Sequence, residues 1–449
     1  MLEEPDNVAC EKLQGDDNPC IELSLEELVP FAMKMHQENR LDAAEECYHA
    51  ALKRDSKNAN ALHFLGVLMY QRGKNKEAIE YIQRSMEIDS QVAAWHNNLG
   101  NVLLDANRFD EATASYQRCT ELAPDNVEVL NNLGVLLRKL KRPAEAEVSL
   151  KRAIALNPTF SGSHANLATL CAGQGRMTEA FSHFADALAL RPSDSEVWRL
   201  LVVAYGKAGR FVEGQQACRD WLDMEPDNPK ALHFLAAYGG DNVPDRASDQ
   251  YVIAEFDGFA GSFDAKLAIL EYRAPQWVGE EVAKRFGVPR QSLNIMDAGC
   301  GTGLCATYLR PYAKYLSGVD LSSNMLSRAQ DRNVYDSLIH AELVACLSEL
   351  EIRFDLIVSA DTLCYFGNLV GAFSAVKRAL CPGGRWIFTL ESHSAIDDYQ
   401  LQHHGRYSHA QMYVERELRA TGFESMDLQP VNLRFEGGEP VRGWLVSAC

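Results

Sequence analysis

The sequence predicts a multidomain protein, in which an all-α solenoid of helical repeats precedes a Rossmann-like α/β domain. Three observations lead to this prediction. The chain has 449 residues, too many for one ordinary hydrophobic core. A pattern of small residues recurs with a period of 34 residues, without a gap, from Leu25 to Asn228. Beyond it, Asn294 to Leu321 has the pattern of a strand, a tight glycine turn, a helix and a second strand, with an acid ending each strand.

Composition and charge limit the classes of function. The chain is 47% hydrophobic and 24% charged, as soluble globular proteins are. Its net charge of -18 produces a field that repels phosphate backbones. Nucleic acid is therefore not expected as a partner.

The twelve cysteines indicate reduced thiols rather than disulfide bonds. They include no paired CxxC zinc pattern, and Cys47, Cys171 and Cys218 fall inside helical patterns. The N-terminus has no basic region followed by an apolar one, and no segment approaches the ~18 apolar residues of a membrane span. We expect a cytoplasmic protein with no membrane partner.

Residues 1–24 form an acidic lead segment. They contain seven Asp or Glu residues and one Lys, and Pro5, Gly15 and Pro19 interrupt any periodic pattern. Such a segment buries too little apolar surface to offset the entropy of ordering. A solvated, partly disordered tail is expected.

The repeats follow in residues 25–239. The residue at the eighth position is small in the first five repeats and is valine in the sixth repeat: Ala32, Gly66, Gly100, Gly134, Ala168 and Val202. The twentieth position is small throughout: Ala44, Ala78, Ala112, Ala146, Ala180 and Gly214. Prolines end four second helices: Pro124, Pro158, Pro192 and Pro226. The pattern resembles the tetratricopeptide repeat, in which small residues let two antiparallel helices pack closely. Six repeats are expected, with a capping helix from Pro229 to Tyr238.

The sixth position of three successive repeats is asparagine: Asn98, Asn132 and Asn166. Carboxamides aligned on a concave surface can hydrogen-bond to the backbone of an extended peptide. The series resembles the peptide-holding asparagine ladder of the O-linked N-acetylglucosamine transferase repeats, which implies a protein or peptide partner. Two alternatives stay open: asparagine before Leu-Gly is common in this repeat, and the groove could dock onto the second domain.

The glycine turn predicts a nucleotide-like ligand. Asp297 ends the first apolar run, and Gly299, Gly301 and Gly303 follow it. Glycines let the backbone turn sharply and approach a ligand closely. Asp320, about 20 residues past the turn, lies where a carboxylate can accept ribose hydroxyls.

The identity of the ligand depends on Leu304 and Asp297. A dinucleotide loop requires G-x-G-x-x-G, and Leu304 occupies its last position. Asp297 also suits a ligand with a cationic amino group better than a pyrophosphate. The stretch from Asp297 resembles D/E-x-G-x-G-x-G, the first motif of class I S-adenosylmethionine-dependent methyltransferases, and all four specified positions match. The resemblance implies S-adenosyl-L-methionine as cofactor and a seven-stranded mixed sheet in a methyltransferase domain spanning residues 294–449.

The same resemblance implies the cofactor contacts. Those at the turn and the second acid are Asp297, Gly299, Cys300, Gly301 and Asp320. In DLSSNML, which follows the family pattern D-L-S-x-x-M-L, Leu321 and Met325 offer apolar surface to adenine. Glu342, beside Leu343, stands where the family usually has Asp and would accept the adenine amino group.

FDLIVSAD, at residues 354–361, is predicted to be a buried strand that ends at the same crevice. Ser359 and Ala360 would offer backbone groups to the methionine part of the cofactor. Asp361 and Tyr365 would flank the reacting methyl. The N-P-P-Y motif of base and amide N-methyltransferases is replaced by TLCYF, which again disfavours nucleic acid.

Residues 240–293 are expected to form a linker and cofactor-lid helices. Residues 239–244 read GGDNVP, a turn-rich break. The segment starting at Tyr251, YVIAEFDGFAGSFDAKLAILEYRAP, resembles the region after the repeats in bacterial predicted methyltransferases that contain tetratricopeptide repeats. By this resemblance Tyr251 contacts the cofactor and Arg273 pairs with its carboxylate. The alternative is that the aromatic residues are core and Arg273 is a surface cation.

Residues 393–409 are longer and more polar than a connection requires. GRYSH resembles a G-R-Y/F-x-H stretch in the same bacterial group, which implies substrate contact near His409. Asp361, Tyr365 and His409 are the candidate catalytic bases. No metal site is predicted, because the adjacent His403 and His404 lack helical ligand spacing.

Two functions stay open at this point. In the favoured one, the chain is a methyltransferase whose repeats recruit a protein or peptide. In the other, it is a binding scaffold with a non-catalytic methyltransferase fold. A variant of the first has a small-molecule acceptor and uses the repeats only for assembly.

Overall fold

The computed structural model describes residues 23–239, 243–258, 260–394 and 398–449. The predicted disorder of the acidic lead falls almost entirely outside these residues, as do residues 240–242 of the predicted turn. The chain divides into two compact units between Pro192 and Ser193. This division falls within the repeats rather than near residue 240, and the domain boundaries drawn from the sequence pattern remain a prediction.

The first unit consists of helix pairs. Its helices are α1 (Leu25–Gln37), α2 (Leu41–Arg54), α3 (Ala59–Gln71), α4 (Asn75–Ile88), α5 (Ala93–Asp105), α6 (Phe109–Leu122), α7 (Val127–Lys139), α8 (Pro143–Leu156), α9 (Ser161–Gly173) and α10 (Met177–Leu190). Asn58 caps α3, where its side chain accepts from the Ala61 N–H at 2.9 Å. The predicted repeat of paired helices is therefore present.

The small residues of the eighth position lie where the two helices of a pair meet. A Cβ added at Gly100 would lie 2.5 Å from the Tyr116 ring, and one at Gly134 would lie 2.6 Å from Leu150. Both contacts are far below van der Waals separation. The period read from the sequence thus marks the closest approach between helices.

The second unit begins with three more helices of the repeat pattern, α11 (Ser195–Lys207), α12 (Phe211–Met224) and α13 (Pro229–Ala237). Its remaining helices are α14 (Asp249–Asp257), α15 (Phe263–Ile269), α16 (Ala274–Phe286), α17 (Ala306–Leu309), α18 (Ser323–Asp331), α19 (Leu343–Glu349), α20 (Val370–Ala379) and α21 (Gln411–Ala420). Its strands are β1 (Leu293–Ala298), β2 (Ala313–Asp320), β3 (Ser337–His340), β4 (Phe354–Ser359), β5 (Leu380–Ser392), β6 (Tyr399–Leu401), β7 (Tyr407–His409), β8 (Met426–Glu436) and β9 (Glu439–Ala448).

The strands form one mixed sheet. Strands β3, β2, β1, β4 and β5 are parallel neighbours in that order, β9 runs antiparallel to β5, and β8 runs antiparallel to β9. The alternation of strands and helices puts the carboxyl ends of β1, β2 and β4 at one edge. That edge carries the predicted cofactor loop.

The predicted count of seven strands is wrong, because the sheet has nine strands within the described residues. The two additional strands are the short β6 and β7, which pair with each other and join the end of β5 through Glu391 and Ser392. They fall in the polar segment that was expected to be a loop. Tyr407, Ser408 and His409 are buried there, so three consecutive residues of this segment lie in the protein interior.

Each face of the sheet carries an apolar core. One face buries Trp386 and Phe388 against Phe373 of α20, and the Trp386 and Phe373 rings meet edge-on at 5.3 Å. The other buries Ile295 and Leu356 against α16 and α17. Because the central parallel strands are covered on both faces, β4 contains a continuous buried apolar run, Leu356 to Val358.

The expectation of reduced thiols is wrong for Cys47, which is disulfide-bonded. The other cysteines in the described part of the chain are free thiols. None of the helices in the described residues combines the length and apolarity needed to cross a membrane.

Candidate functional site

A cavity of about 630 Å³ opens at the carboxyl ends of β1, β2 and β4. Its wall includes the glycine turn after β1, the residues after β2 and the start of α19. Helices α14 and α15 contribute Phe256 and Phe263 to the wall. Open parallel sheets bind ligands at such an edge.

The glycine turn has the backbone conformation that its residues predicted. Gly299, Gly301 and Gly303 have φ of 80°, 53° and 85°, in the left-handed region that glycine tolerates. A Cβ at Gly299 would lie 2.2 Å from Thr362 Oγ1, whereas one at Gly301 would meet no other atom within 4 Å. The turn therefore packs against the segment after β4 at its first glycine and leaves open space for a ligand at its second.

Asp320 lies at the end of β2 in the cavity wall. Its carboxylate accepts from the Gly301 N–H at 2.8 Å and from the Ser322 N–H at 2.9 Å. Burial raises the pKa of Asp320, and these backbone amides offset part of that effect. The carboxylate is thus held in place from both sides, with further lone pairs available for ligand hydroxyls.

Asp297, at the end of β1, is 1% exposed and lines the same cavity. It accepts a hydrogen bond from the Tyr335 hydroxyl at 2.7 Å. Burial raises the pKa of Asp297 to about 7, although the Tyr335 hydrogen bond opposes the shift. A cationic ligand group beside Asp297 would restore the charged form.

Glu342 supplies an acceptor at the adenine end predicted from the sequence. One oxygen accepts from the Ala345 N–H at 2.8 Å and caps α19. The other, Oε1, is buried without a hydrogen-bond partner in the described residues, and Arg246 Nη1 lies 3.9 Å away. Leu321, Met325 and Leu343 lie in the same wall. A buried acceptor beside apolar surface suits an adenine with its exocyclic amino group.

Asp361 follows β4 in the left-handed conformation, with φ of 54°. Its N–H donates to Thr389 Oγ1 at 2.9 Å, and its Oδ2 accepts from Arg434 at 2.6 Å. Its other oxygen, Oδ1, is buried without a hydrogen-bond partner in the described residues. Burial raises the pKa of Asp361, and the Arg434 charge opposes this.

Arg434 is the centre of a buried ionic cluster beneath the cavity. It contacts Glu391 as well as Asp361, and donates to Glu436 at 2.7 Å. Arg406 also donates to Glu391, at 2.7 Å. Burial raises the pKa of Glu391, but the two guanidinium groups outweigh it and hold that pKa below its usual value. The cluster fixes β4, β5 and β8 relative to one another.

Tyr365 lies in the cavity wall on the turn after Asp361. Its ring meets Phe256 edge-on at a centroid distance of 5.4 Å. Burial raises the pKa of the phenol well above its usual value. Tyr365 is therefore a hydrogen-bond donor rather than a phenolate at neutral pH.

Tyr251 and Arg273, both predicted as cofactor contacts, do not line the cavity. Tyr251 is 3% exposed and stacks on His233 at 3.8 Å. Arg273 lies in a separate groove, where its guanidinium covers Trp277 at 4.2 Å. This placement favours the alternative structural roles of both residues over cofactor contact.

Ser359 and His409 are also enclosed by the protein. The Ser359 hydroxyl accepts from Trp386 Nε1 at 3.2 Å, so its side chain points into the core, while the neighbouring Ala360 lines the cavity. His409 Nε2 donates to the Phe366 carbonyl at 2.9 Å. Burial lowers the pKa of His409 to about 4. His409 thus supports the β7 region and does not reach the cavity.

Several residues in the cavity wall are not indicated by the sequence pattern. Arg434 and Glu436 come from β8, and alternation along a strand does not reveal a buried arginine. Glu196 and Arg199 of α11 and Lys230 of α13 also line the cavity, although their helices follow the repeat pattern. Lys230 Nζ lies 3.0 Å from Glu255 of α14.

The three asparagines of the repeats differ in their contacts. Asn98 Nδ2 donates to His63 Nε2 at 3.1 Å, and Asn166 Nδ2 donates to Asn131 Oδ1 at 2.9 Å. Asn132 forms no side-chain hydrogen bond with the described residues. Two of the three carboxamides are thus engaged in hydrogen bonds between neighbouring repeats.

Comparison with protein families gives separate matches to the two parts of the chain. A methyltransferase-domain family matches residues 296–388. Three tetratricopeptide-repeat families match residues 37–93, 91–159 and 172–238. The chain therefore contains tetratricopeptide repeats and a methyltransferase domain.

Among curated proteins, a malonyl-(acyl-carrier protein) O-methyltransferase of Salmonella typhimurium is 30% identical over 32% of this chain and 55% of its own length. Methyltransferase-like protein 27 of Homo sapiens is 38% identical over 23% of this chain and 40% of its own length. The chain thus spans about half the length of these relatives. Among solved structures, PilW, a type IV pilus biogenesis factor, is 20% identical over 47% of this chain and 98% of its own, with a TM-score of 0.44.

Proposed function

We propose that this chain, which contains tetratricopeptide repeats and a methyltransferase domain, transfers a methyl group from S-adenosyl-L-methionine to an acceptor recruited by the repeats. The observation that carries the proposal is the cavity at the ends of β1, β2 and β4. It combines an open glycine turn, a fixed carboxylate at Asp320 and the buried, unpartnered oxygen of Glu342.

The residues present fit the cofactor. Asp320 would accept the ribose hydroxyls, and Glu342 Oε1 would accept the adenine amino group. Leu321 and Met325 would cover the adenine faces. Asp297 would face the methionine part of the cofactor, and the positive charge there would stabilise the carboxylate form of Asp297.

Bound in this cavity, S-adenosyl-L-methionine would supply a sulfonium methyl for in-line displacement by an acceptor lone pair. The protein contributes mainly positioning and exclusion of water. Asp361 Oδ1 is the best-placed group to take a proton from an oxygen or nitrogen acceptor, since it is buried, unpartnered and in the cavity wall. Arg434 positions it from the other oxygen. Tyr365 would donate a hydrogen bond, whereas His409 is too far inside the protein to act as the base.

The role of the repeats is the finer part of the proposal. Tetratricopeptide arrays present extended concave surfaces for peptides. Helices α11 and α13 also contribute Glu196, Arg199 and Lys230 to the cavity wall, which supports a link between recruitment and chemistry. A small-molecule acceptor, and a scaffold without catalysis, are the competing functions.

Calorimetry with S-adenosyl-L-methionine tests the cofactor. The wild-type chain should bind it, and Asp320→Ala should weaken binding at least ten-fold, because the ribose acceptor and the bond to Gly301 are both lost. Asp331→Ala, at the exposed end of α18, is the matched acidic control and should bind as the wild type does. Absence of binding by the wild type would overturn the proposal.

Methyl transfer into a cell lysate, followed with a radiolabelled methyl group, then identifies the acceptor class. Label in the protein fraction supports recruitment of a protein by the repeats. Label found only in the small-molecule fraction supports a small-molecule acceptor, with the repeats used only for assembly. Cofactor binding without any transfer supports the scaffold.

A further inference from the structure

Three metal-ligating side chains converge on the fifth helix pair, far along the chain from the cavity. His164 lies on α9, and His183 and Asp186 lie on α10. One ligand atom from each lies within 4.8 Å of the other two. Asp186 Oδ2 is 3.6 Å from His164 Nδ1 and 3.6 Å from His183 Nδ1.

The ring of His164 is oriented as a metal ligand requires. Its Nε2 lies 3.0 Å from the Pro158 carbonyl oxygen. Because a carbonyl only accepts, Nε2 carries the proton and Nδ1 presents a lone pair. A backbone carbonyl that fixes the second ring nitrogen is the usual outer partner of a metal-bound histidine.

The converging atoms do not satisfy one another. His164 is 7% exposed, and its Nδ1 has no hydrogen-bond partner in the described residues; the same holds for His183 Nδ1. A separation of 3.6 Å between nitrogen and oxygen is too long for a hydrogen bond. The lone-pair nitrogen of His164, the unpartnered Nδ1 of His183 and one carboxylate oxygen of Asp186 therefore lie close together.

The spacing matches a small divalent ion. Tetrahedral zinc with bonds of about 2.0–2.1 Å places its ligands roughly 3.3–3.4 Å apart. Both histidine Nδ1 atoms lie 3.6 Å from Asp186 Oδ2, slightly more than that separation, and the ligand atoms of the three residues lie within 4.8 Å of one another. The site would therefore have to contract slightly around a bound ion. The side chain of Asp186 is 52% exposed, which leaves the outer coordination positions accessible to solvent.

An earlier repeat provides an internal comparison. His96 is equivalent to His164, and its Nε2 makes the same contact, at 3.0 Å, with the Ser90 carbonyl. The positions equivalent to His183 and Asp186 are Ser115 and Arg118 there. The backbone contact of the histidine thus recurs in the array, and the sixth repeat has an acid, Asp220, at the position of Asp186. The fifth repeat is the one that combines both histidines with the acid.

We propose that His164 Nδ1, His183 Nδ1 and Asp186 form a three-ligand site for a divalent transition-metal ion of the zinc class. The ion links α9 to α10 and keeps at least one coordination position open to water. Imidazole nitrogens with one carboxylate favour zinc, cobalt or nickel over magnesium or calcium. The prediction that the chain has no metal site was based on the adjacent His403 and His404. The ligands proposed here come from two different helices, α9 and α10.

The test uses the full chain after treatment with a chelator and dialysis. Calorimetric titration with Zn²⁺ should show one binding event that Asp186→Ala and His183→Ala each weaken at least ten-fold. His96→Ala is the matched control and should bind zinc as the wild type does. Circular dichroism confirms that each variant retains its helices, and His183 and Asp186 are chosen because both are more exposed than His164.

Two further measurements separate this site from zinc bound at cysteines. Co²⁺ bound by nitrogen and oxygen ligands lacks the thiolate charge-transfer absorption that cysteine ligands give. Zn²⁺, but not Mg²⁺, should raise the unfolding temperature of the wild type and leave that of Asp186→Ala unchanged. Equal zinc affinity in the wild type and Asp186→Ala, or no zinc binding by the wild type, would overturn the proposal.

Discussion

Asp297 combines two conflicting demands at the scale of a single residue. Burial at the end of β1 favours its neutral form and raises its pKa to about 7. A cationic ligand group would favour the charged form. Protonation of this one carboxyl is therefore coupled to occupation of the cavity.

This coupling predicts a pH dependence of cofactor affinity. Above about pH 7 Asp297 is already a carboxylate, so affinity is high and constant. Below about pH 7 its proton must leave before the cationic group binds, so affinity falls by up to about ten-fold per pH unit. Calorimetry between pH 5.5 and 8.5 measures the slope.

Asp297→Asn is the control for this prediction. It should bind more weakly at pH 8 and show a flatter pH profile, while Asp331→Asn should follow the wild type. An unchanged slope in Asp297→Asn would assign the pH dependence to another group, such as Asp320.

The predicted residues that line the cavity depend on local backbone geometry. Gly299, Gly301 and Asp320 stand at fixed spacings within one strand–turn–helix unit, so the motif also fixes their positions in space. Arg273 and His409 depend on which way a side chain points in the folded chain. Arg434 could not be predicted, because two of its three acidic partners, Asp361 and Glu391, come from distant parts of the sequence.

At the scale of elements, the helix pairs explain the repeat period. Small residues recur because a larger one would overlap the facing helix, as Gly100 and Tyr116 show. The strand count was harder to predict, since β6 and β7 are short and lie in a polar segment. Their burial depends on residues such as Pro244, whose carbonyl accepts from the Tyr407 hydroxyl at 2.7 Å.

The asparagine series gives a prediction at this scale. Asn166→Ala should destabilise the first unit by about 1 kcal/mol, because it removes the hydrogen bond to buried Asn131. Asn132→Ala should change stability by less than about 0.5 kcal/mol, since it loses no such bond. Thermal unfolding of the full chain measures both changes.

A measurement of partner binding then shows whether the three asparagines bind a peptide or only connect neighbouring repeats. Changing Asn98, Asn132 and Asn166 together to Ala should reduce the protein recovered in a pull-down and leave cofactor affinity unchanged. Asn132→Ala alone tests the same surface with little loss of stability. Equal recovery by the triple variant and the wild type would contradict a role in peptide binding.

At the scale of the whole chain, helices α11 to α13 belong to the same compact unit as the sheet. His233 of α13 donates from Nε2 to the Gly405 carbonyl at 2.8 Å and stacks on Tyr251. Lys230 pairs with Glu255. The sequence pattern could not show this, because α11 to α13 continue the same period as the helices before them.

Fragments of the chain test this division. A fragment of residues 193–449 should bind S-adenosyl-L-methionine as the full chain does. A fragment of residues 240–449 should be less stable by roughly 2–4 kcal/mol, because it loses the His233 stacking, hydrogen bond and nearby ion pair. Urea unfolding compares the two, and equal stability would contradict a structural role for α13 in this unit.

Lys230, Glu196 and Arg199 in the cavity wall have a consequence for the exchange of modules. A recombination point at the turn near residue 240 would join a foreign repeat array to this sheet and replace part of the wall at the same time. A designer who wishes to transplant the methyltransferase unit should therefore cut before Ser193. Natural shuffling at the later point would exchange Glu196, Arg199 and Lys230 together with the repeats, and so would change the charge of the cavity wall.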